Sequence, residues 1–132
     1  MNNKTLGNGF EDELCTILSG HGFWVHNMAQ KKSGQPADVI AVRNKTSYLI
    51  DAKVCSDNKF PLSRVEENQD LAMDMWYECG NGIGWFALKT VYGVYMISHY
   101  CIKAYRDKQA HLSAKEIVEL GTPIEKWVKK CK

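Results

Sequence analysis

The 132-residue chain has no apolar run near the roughly 18 residues that a membrane-spanning helix needs. Its start, Met1-Asn2-Asn3-Lys4-Thr5, lacks the apolar stretch of a secretory signal, so the expected location is cytoplasmic. The five cysteines, Cys15, Cys55, Cys79, Cys101 and Cys131, are odd in number and far apart, with no C-x-x-C pair. That argues against a disulfide framework or a closely paired zinc site and for reduced thiols. The four histidines, His21, His26, His99 and His111, have no i, i+4 spacing, and neither G-x-S-x-G nor a P-loop is present. Zincin, α/β-hydrolase and P-loop chemistry are thereby disfavoured. Charge of one sign is also lacking: the formal net is +2, and composition alone marks no nucleic-acid binder.

What is present is the composition of a globular protein, 45% hydrophobic and 24% charged with only three prolines, and a length that suits a single domain over residues 1–132. Phe10, Leu14, Ile17 and Leu18 recur at helical spacing over residues 8–19, and Gly20 and Gly22 end that helix. Residues 23–28 read as a strand and 30–35 as a polar, lysine-bearing loop. Two β-type runs, 38–42 and 48–54, predict a hairpin; residues 64–79 predict a second helix, stopped by Gly80-Asn81-Gly82. Strands at 85–90 and 91–97 follow, then a capping box at Ser113-Ala114-Lys115-Glu116 and a short terminal helix at 124–129. The order predicts a mixed α/β fold, a central mixed β-sheet flanked by helices.

Asp51-Ala52-Lys53 is a weak signal by itself, because an acid two residues before a lysine is expected about 1.6 times by chance in this composition. Its setting distinguishes it from the second match, Asp57-Asn58-Lys59, which lies in a polar loop. Period-2 alternation puts Asp51 and Lys53 on one face of an otherwise apolar strand. If Asn44-Lys45 forms the turn, Asp38 falls directly across from Asp51, where two carboxylates repel unless positive charge sits between them. Lys53 and a Mg²⁺ ion with its hard-oxygen preference answer that need. Glu11, flanking the apolar stripe of the first helix beside Leu14, Cys15 and Leu18, is the acid best placed to lean over the sheet. It also suits a capping box with Asn8.

Residues 29–64 hold seven bases against three acids, a modest phosphate-compatible patch. Lys31, Lys32, Arg43, Lys59 and Arg64 are its candidate DNA contacts. On the second helix, Glu66, Asp70, Asp74 and Glu78 form an acidic stripe expected to face solvent, away from nucleic acid, and Gln69 beside it, near Ala72 and Trp76, faces either the core edge or the site, where it is a further candidate DNA contact. The aromatic residues Trp76, Trp85, Phe86, Tyr92 and Tyr95 read as core.

Taken in order, Gly7-Asn8-Gly9-Phe10-Glu11, His21-Gly22-Phe23, Pro36-Ala37-Asp38-Val39-Ile40-Ala41, Asp51-Ala52-Lys53 and Lys59-Phe60-Pro61-Leu62 resemble the PD-(D/E)XK nuclease superfamily, in particular the archaeal-type and RecU-type Holliday junction resolvases. An alanine separates Pro36 from Asp38, and the third acid is the shorter aspartate. The resemblance implies a restriction-endonuclease-like αβββαβ core and a Mg²⁺-dependent endonuclease, with Mn²⁺ able to substitute, acting on four-way DNA junctions as a homodimer. It implies metal binding by Asp38 and Asp51, with Glu11 as a direct or water-mediated ligand and the Ala52 carbonyl as a further one. Lys53 is implied to orient the attacking water or stabilise transition-state charge. A restriction-like or repair nuclease on the same fold, and a catalytically inactive nucleic-acid-binding module, are the alternatives.

Overall fold

The computed structural model describes residues 3–28 and 37–131, with side chains in the first helix from Gly9 onward. Helix α1 (Asn3–Gly20) leads into β1 (Trp24–Asn27), β2 (Val39–Arg43) and β3 (Thr46–Val54). A short strand β4 (Lys59–Pro61) and one 3₁₀ turn (Leu62–Arg64) precede α2 (Glu67–Glu78). Then come β5 (Trp85–Thr90), β6 (Gly93–Ser98), α3 (His99–Arg106), β7 (His111–Ser113), α4 (Ala114–Leu120), β8 (Thr122–Pro123) and α5 (Ile124–Lys130). Among the described residues, six strands form one sheet in the order β1-β2-β3-β5-β6-β8, with β3 and β5 parallel and the other pairs antiparallel. Strands β4 and β7 make a separate two-stranded ribbon.

Each face of the sheet carries its own core. On one face Phe10, Leu14 and Leu18 of α1 and Trp127 and Val128 of α5 pack on Val39, Ala41, Ile50 and Ala52. On the other, Met73 of α2, Ile102 of α3 and Ile117 of α4 join Phe60 and Leu112 of the ribbon over Leu49, Phe86, Leu88 and Ile97. The alternation expected for β3 is therefore present: Tyr48, Ile50 and Ala52 serve one core while Leu49, between Tyr48 and Ile50, serves the other.

The hairpin closes as the sequence implies. Asn44 and Lys45 hold φ of 52° and 66°, the left-handed pair of a two-residue turn whose twist matches the flanking strands, and Arg43 pairs Thr46 while Val39 pairs Ile50. The paired register ends there; Asp38 N–H donates to Ile50 O at 3.1 Å and its carboxylate reaches Ala52 N–H, which sets Asp38 beside the stretch of β3 that carries Asp51. Ala37 is fully buried in the second core while Val39, two residues on, serves the first, so strict alternation breaks at Asp38, just before the paired strand begins.

Several boundaries differ from expectation. Helix α1 begins at Asn3, because the backbone stays helical through Gly7 and Gly9. Val91 and Tyr92 form the turn between β5 and β6, leaving β6 to start at Gly93. Helix α3, the β4–β7 ribbon and β8 have no counterpart in the sequence reading. Helix α3 is only eight residues long and buries just His99 and Ile102, too few for a periodic apolar signal; Ser98 caps it by accepting from Cys101 N–H at 3.1 Å. The polar loop at 30–35, with Lys31 and Lys32, lies outside the described residues.

Candidate active site

Three elements bring the acids together. Strand β3 supplies Asp51 and Lys53, the entry to β2 supplies Asp38, and α1 supplies Glu11 across the mouth of the hairpin. The Asp38 backbone is pinned on both sides, donating to Ile50 O at 3.1 Å and accepting from Met28 N–H at 2.6 Å. Its side chain is pinned too, since Oδ2 accepts from Ala52 N–H at 2.8 Å. Asp51 is completely buried; Oδ1 accepts from Gln69 Nε2 at 2.9 Å, and Lys53 Nζ lies 3.1 Å from Oδ2. That ion pair lacks hydrogen-bond geometry, so Oδ2 is a buried oxygen without a hydrogen-bond partner.

The electrostatics follow from crowding acids where water is scarce. Burial, and then the charge and hydrogen bond of Asp38, push the Glu11 carboxyl up to about 7. Burial and then Asp38 likewise raise Asp51 well above the usual carboxylate range, against the opposing pull of Lys53. One ammonium does not balance three carboxyls. A cation at this cluster would relieve the same repulsion that raises Glu11 and Asp51.

A divalent metal fits on those grounds: a buried carboxylate oxygen without a hydrogen-bond partner, hard-oxygen donors, and acids whose proximity raises the carboxyls of Glu11 and Asp51. Among the described residues no trio of histidine, thiol or carboxylate groups encloses an ion by itself. An open site of one or two carboxylates completed by water and substrate phosphate is the usual arrangement for Mg²⁺.

Of the sequence candidates, Glu11, Asp38, Asp51, Ala52, Lys53 and Gln69 converge here. Others do not. Arg43 is a correction: its guanidinium donates to the carbonyls of His21, Val128 and Cys131 and lies 4.3 Å over the Phe23 ring, clamping α5 to the start of β1. Those bonds leave it no fork for phosphate. Arg64 is half-buried, donating to Val54 O at 2.7 Å and sitting over Phe60, which fixes the loop between β3 and α2. Lys59 is exposed on β4.

The acidic stripe on α2 is a second correction, because half of it faces protein. Asp70 accepts from Arg106 and contacts His99 Nε2, both at 2.7 Å, and Asp74 accepts from Lys103 at 3.0 Å. Against the upward push of burial, the hydrogen bonds from Arg106 and His99 hold the Asp70 carboxyl below its ordinary range. The signal that would have found this was present: His99, Lys103 and Arg106 are spaced i, i+4, i+7 and match the acids of α2. Of the aromatic residues expected in the core, Phe86 is buried, whereas Tyr92 is exposed on its turn.

A mixed sheet with an acidic, lysine-bearing cluster at the mouth of its β2–β3 hairpin defines a class, the metal-dependent nucleases. The model of one family, "Archaeal holliday junction resolvase (hjc)", matches residues 2–132. The chain belongs to the archaeal Holliday junction resolvase family. Among solved structures it shares its fold with "Archaeoglobus fulgidus Hjc, a Holliday junction resolvase from an archaeal hyperthermophile", at a TM-score of 0.69 and 18% sequence identity, covering 96% of this chain and 98% of that one. Direct comparison with curated proteins finds no match.

The protein is thus a structure-selective endonuclease that hydrolyses DNA phosphodiester bonds, in a family of metal-dependent enzymes whose substrate is branched DNA. The alternatives of a general repair nuclease and of an inactive binding module give way to that membership. Among the described residues no helix is long and apolar enough to cross a membrane.

Proposed function

We propose that residues 1–132 act as one nuclease domain that resolves four-way junctions as a homodimer, with Mg²⁺ as the working ion and Mn²⁺ able to substitute. The observation that carries the site assignment is fully buried Asp51, whose Oδ2 faces Lys53 at 3.1 Å while Oδ1 is held by Gln69, with Asp38 and Glu11 crowded beside it.

In this reading Asp38 and Asp51 hold the ion, Glu11 contributes directly or through water, and the Ala52 carbonyl adds a further oxygen. The Ala52 N–H fixes the Asp38 carboxylate, so one residue serves both acids. A divalent ion at this point lowers the pKa of a water and offsets charge on the non-bridging phosphate oxygens. Lys53, 14% exposed, orients that water or neutralises developing charge from the open side of the site. Lys31, Lys32 and Lys59 contact the phosphate backbone, fixing the register of DNA without reading sequence.

Resolution requires paired cuts in two strands of like polarity, and one site per small chain calls for a second copy related by a two-fold axis. The testing experiment is cleavage of a four-way junction beside its linear arms, with and without Mg²⁺. Paired, symmetric incisions that depend on Mg²⁺ and are confined to the junction are expected. Equal cutting of the linear arms, or cutting in the presence of a chelator, would defeat the reading.

A further inference from the structure

Gln69, only 7% exposed, is the third residue of α2, and both ends of its side-chain amide are engaged. Oε1 accepts from Glu66 N–H at 3.1 Å, capping the helix, and Nε2 donates to Asp51 Oδ1 at 2.9 Å. The first contact settles the second. An N–H needs an oxygen opposite it, so only the nitrogen end of the amide is left for the carboxylate. The next residue, Asp70, ties the same turn of α2 to α3 through His99 and Arg106. The donor is therefore held in place by a helix cap on one side and an interhelical clamp on the other. With Oδ1 occupied, Asp51 presents only Oδ2, which faces Lys53 Nζ at 3.1 Å.

We propose that Gln69 is a positioning residue of the cation site: by holding Asp51 Oδ1 it fixes the rotation of the carboxylate and turns Oδ2 alone toward the ion. The inference rests on the reading of Asp51 as a cation ligand given above. It moves Gln69 from the candidate DNA contacts to the support of an acid. Partners of this kind behind a ligating group typically change metal affinity about 10–100-fold when removed.

The test uses the full chain without DNA, titrated with Mn²⁺ by calorimetry, beside junction binding measured in chelator. Gln69→Met keeps length and volume but removes the donor. It should weaken Mn²⁺ about tenfold or more, while junction affinity in chelator stays within about twofold. Glu66→Pro, at a φ of −80° that proline tolerates, removes the N–H that holds Gln69 Oε1 together with the Glu66 carboxylate of the capping box but keeps the Gln69 donor, and should weaken Mn²⁺ no more than Gln69→Met does. Should Gln69→Met melt too early to titrate, Gln69→Asn, one methylene too short to span both partners, should lose Mn²⁺ affinity to a similar degree. Unchanged Mn²⁺ affinity in the Gln69 variants, a greater loss in Glu66→Pro than in Gln69→Met, or weakened junction binding in chelator would each overturn the role. Asp51→Asn separates the two levels. If it loses the ion while Gln69→Met does not, only the role of Gln69 falls; if it binds Mn²⁺ normally, the cation site and the positioning role fall together.

Discussion

The backbone N–H of Ala52 donates to Asp38 Oδ2 at 2.8 Å, so the strand that carries Asp51 and Lys53 also orients the acid opposite them. The site is a property of one hairpin mouth, closed by a helix on each side.

Asp38→Asn and Asp51→Asn should each abolish cleavage yet leave junction binding intact or tighter, because losing a carboxylate removes the ion and also a repulsion toward phosphate. Lys53→Ala should slow turnover by about 10²–10³. Single-turnover cleavage beside gel-shift titration separates these outcomes, and wild-type turnover in either aspartate variant would exclude the assignment.

Glu11 makes a pH prediction whose sign is fixed. Its carboxyl titrates near 7 in the folded protein against 4.5 for the ordinary group, so between those values the native state binds more protons than the unfolded one. Its contribution to stability is full below about 4.5 and is lost as pH rises toward 7. In chelator, the wild type should therefore lose stability relative to Glu11→Gln across that window, as read by urea unfolding. Adding Mg²⁺ near pH 6.5 should release protons, measurable as a buffer-dependent binding enthalpy.

Arg43→Ala should destabilise the fold by roughly 2–4 kcal/mol, since three backbone carbonyls and the face of Phe23 lose a charged partner. Junction affinity and its salt dependence should not change. A shallower salt slope would return Arg43 to the DNA interface.

For Lys31 and Lys32 the opposite pattern is expected. Replacing both with alanine should weaken junction binding about equally across sequences and shrink the log–log salt slope by about 0.9 for each lost contact, with stability unaltered. Binding titrations at four or five salt concentrations check it.

Light scattering at micromolar concentration should give about twice the 15.0 kDa chain mass. Leu71 and Met75, one turn apart on α2 and 56% and 63% exposed, are apolar side chains that a partner copy would cover. Replacing both with glutamate should shift the mass toward 15.0 kDa and turn paired incisions into single nicks.

The sequence by itself determined the hairpin and hence the pairing of its acids. Two-residue turn geometry and period-2 alternation act over neighbouring residues, so the positions of Asn44, Lys45, Asp38, Asp51 and Lys53 sufficed. Family motifs in order then named the chemistry. Tertiary structure alone decided what long side chains do. Arg43 reaches carbonyls 85 and 88 residues away, and Asp70 meets partners 29 and 36 residues distant, separations over which no local period runs. Gln69 likewise sits in sequence beside a charged stripe but in space against Asp51. A polar residue's neighbours along one helix do not tell what lies across the sheet, because burial beside another element chooses its partner.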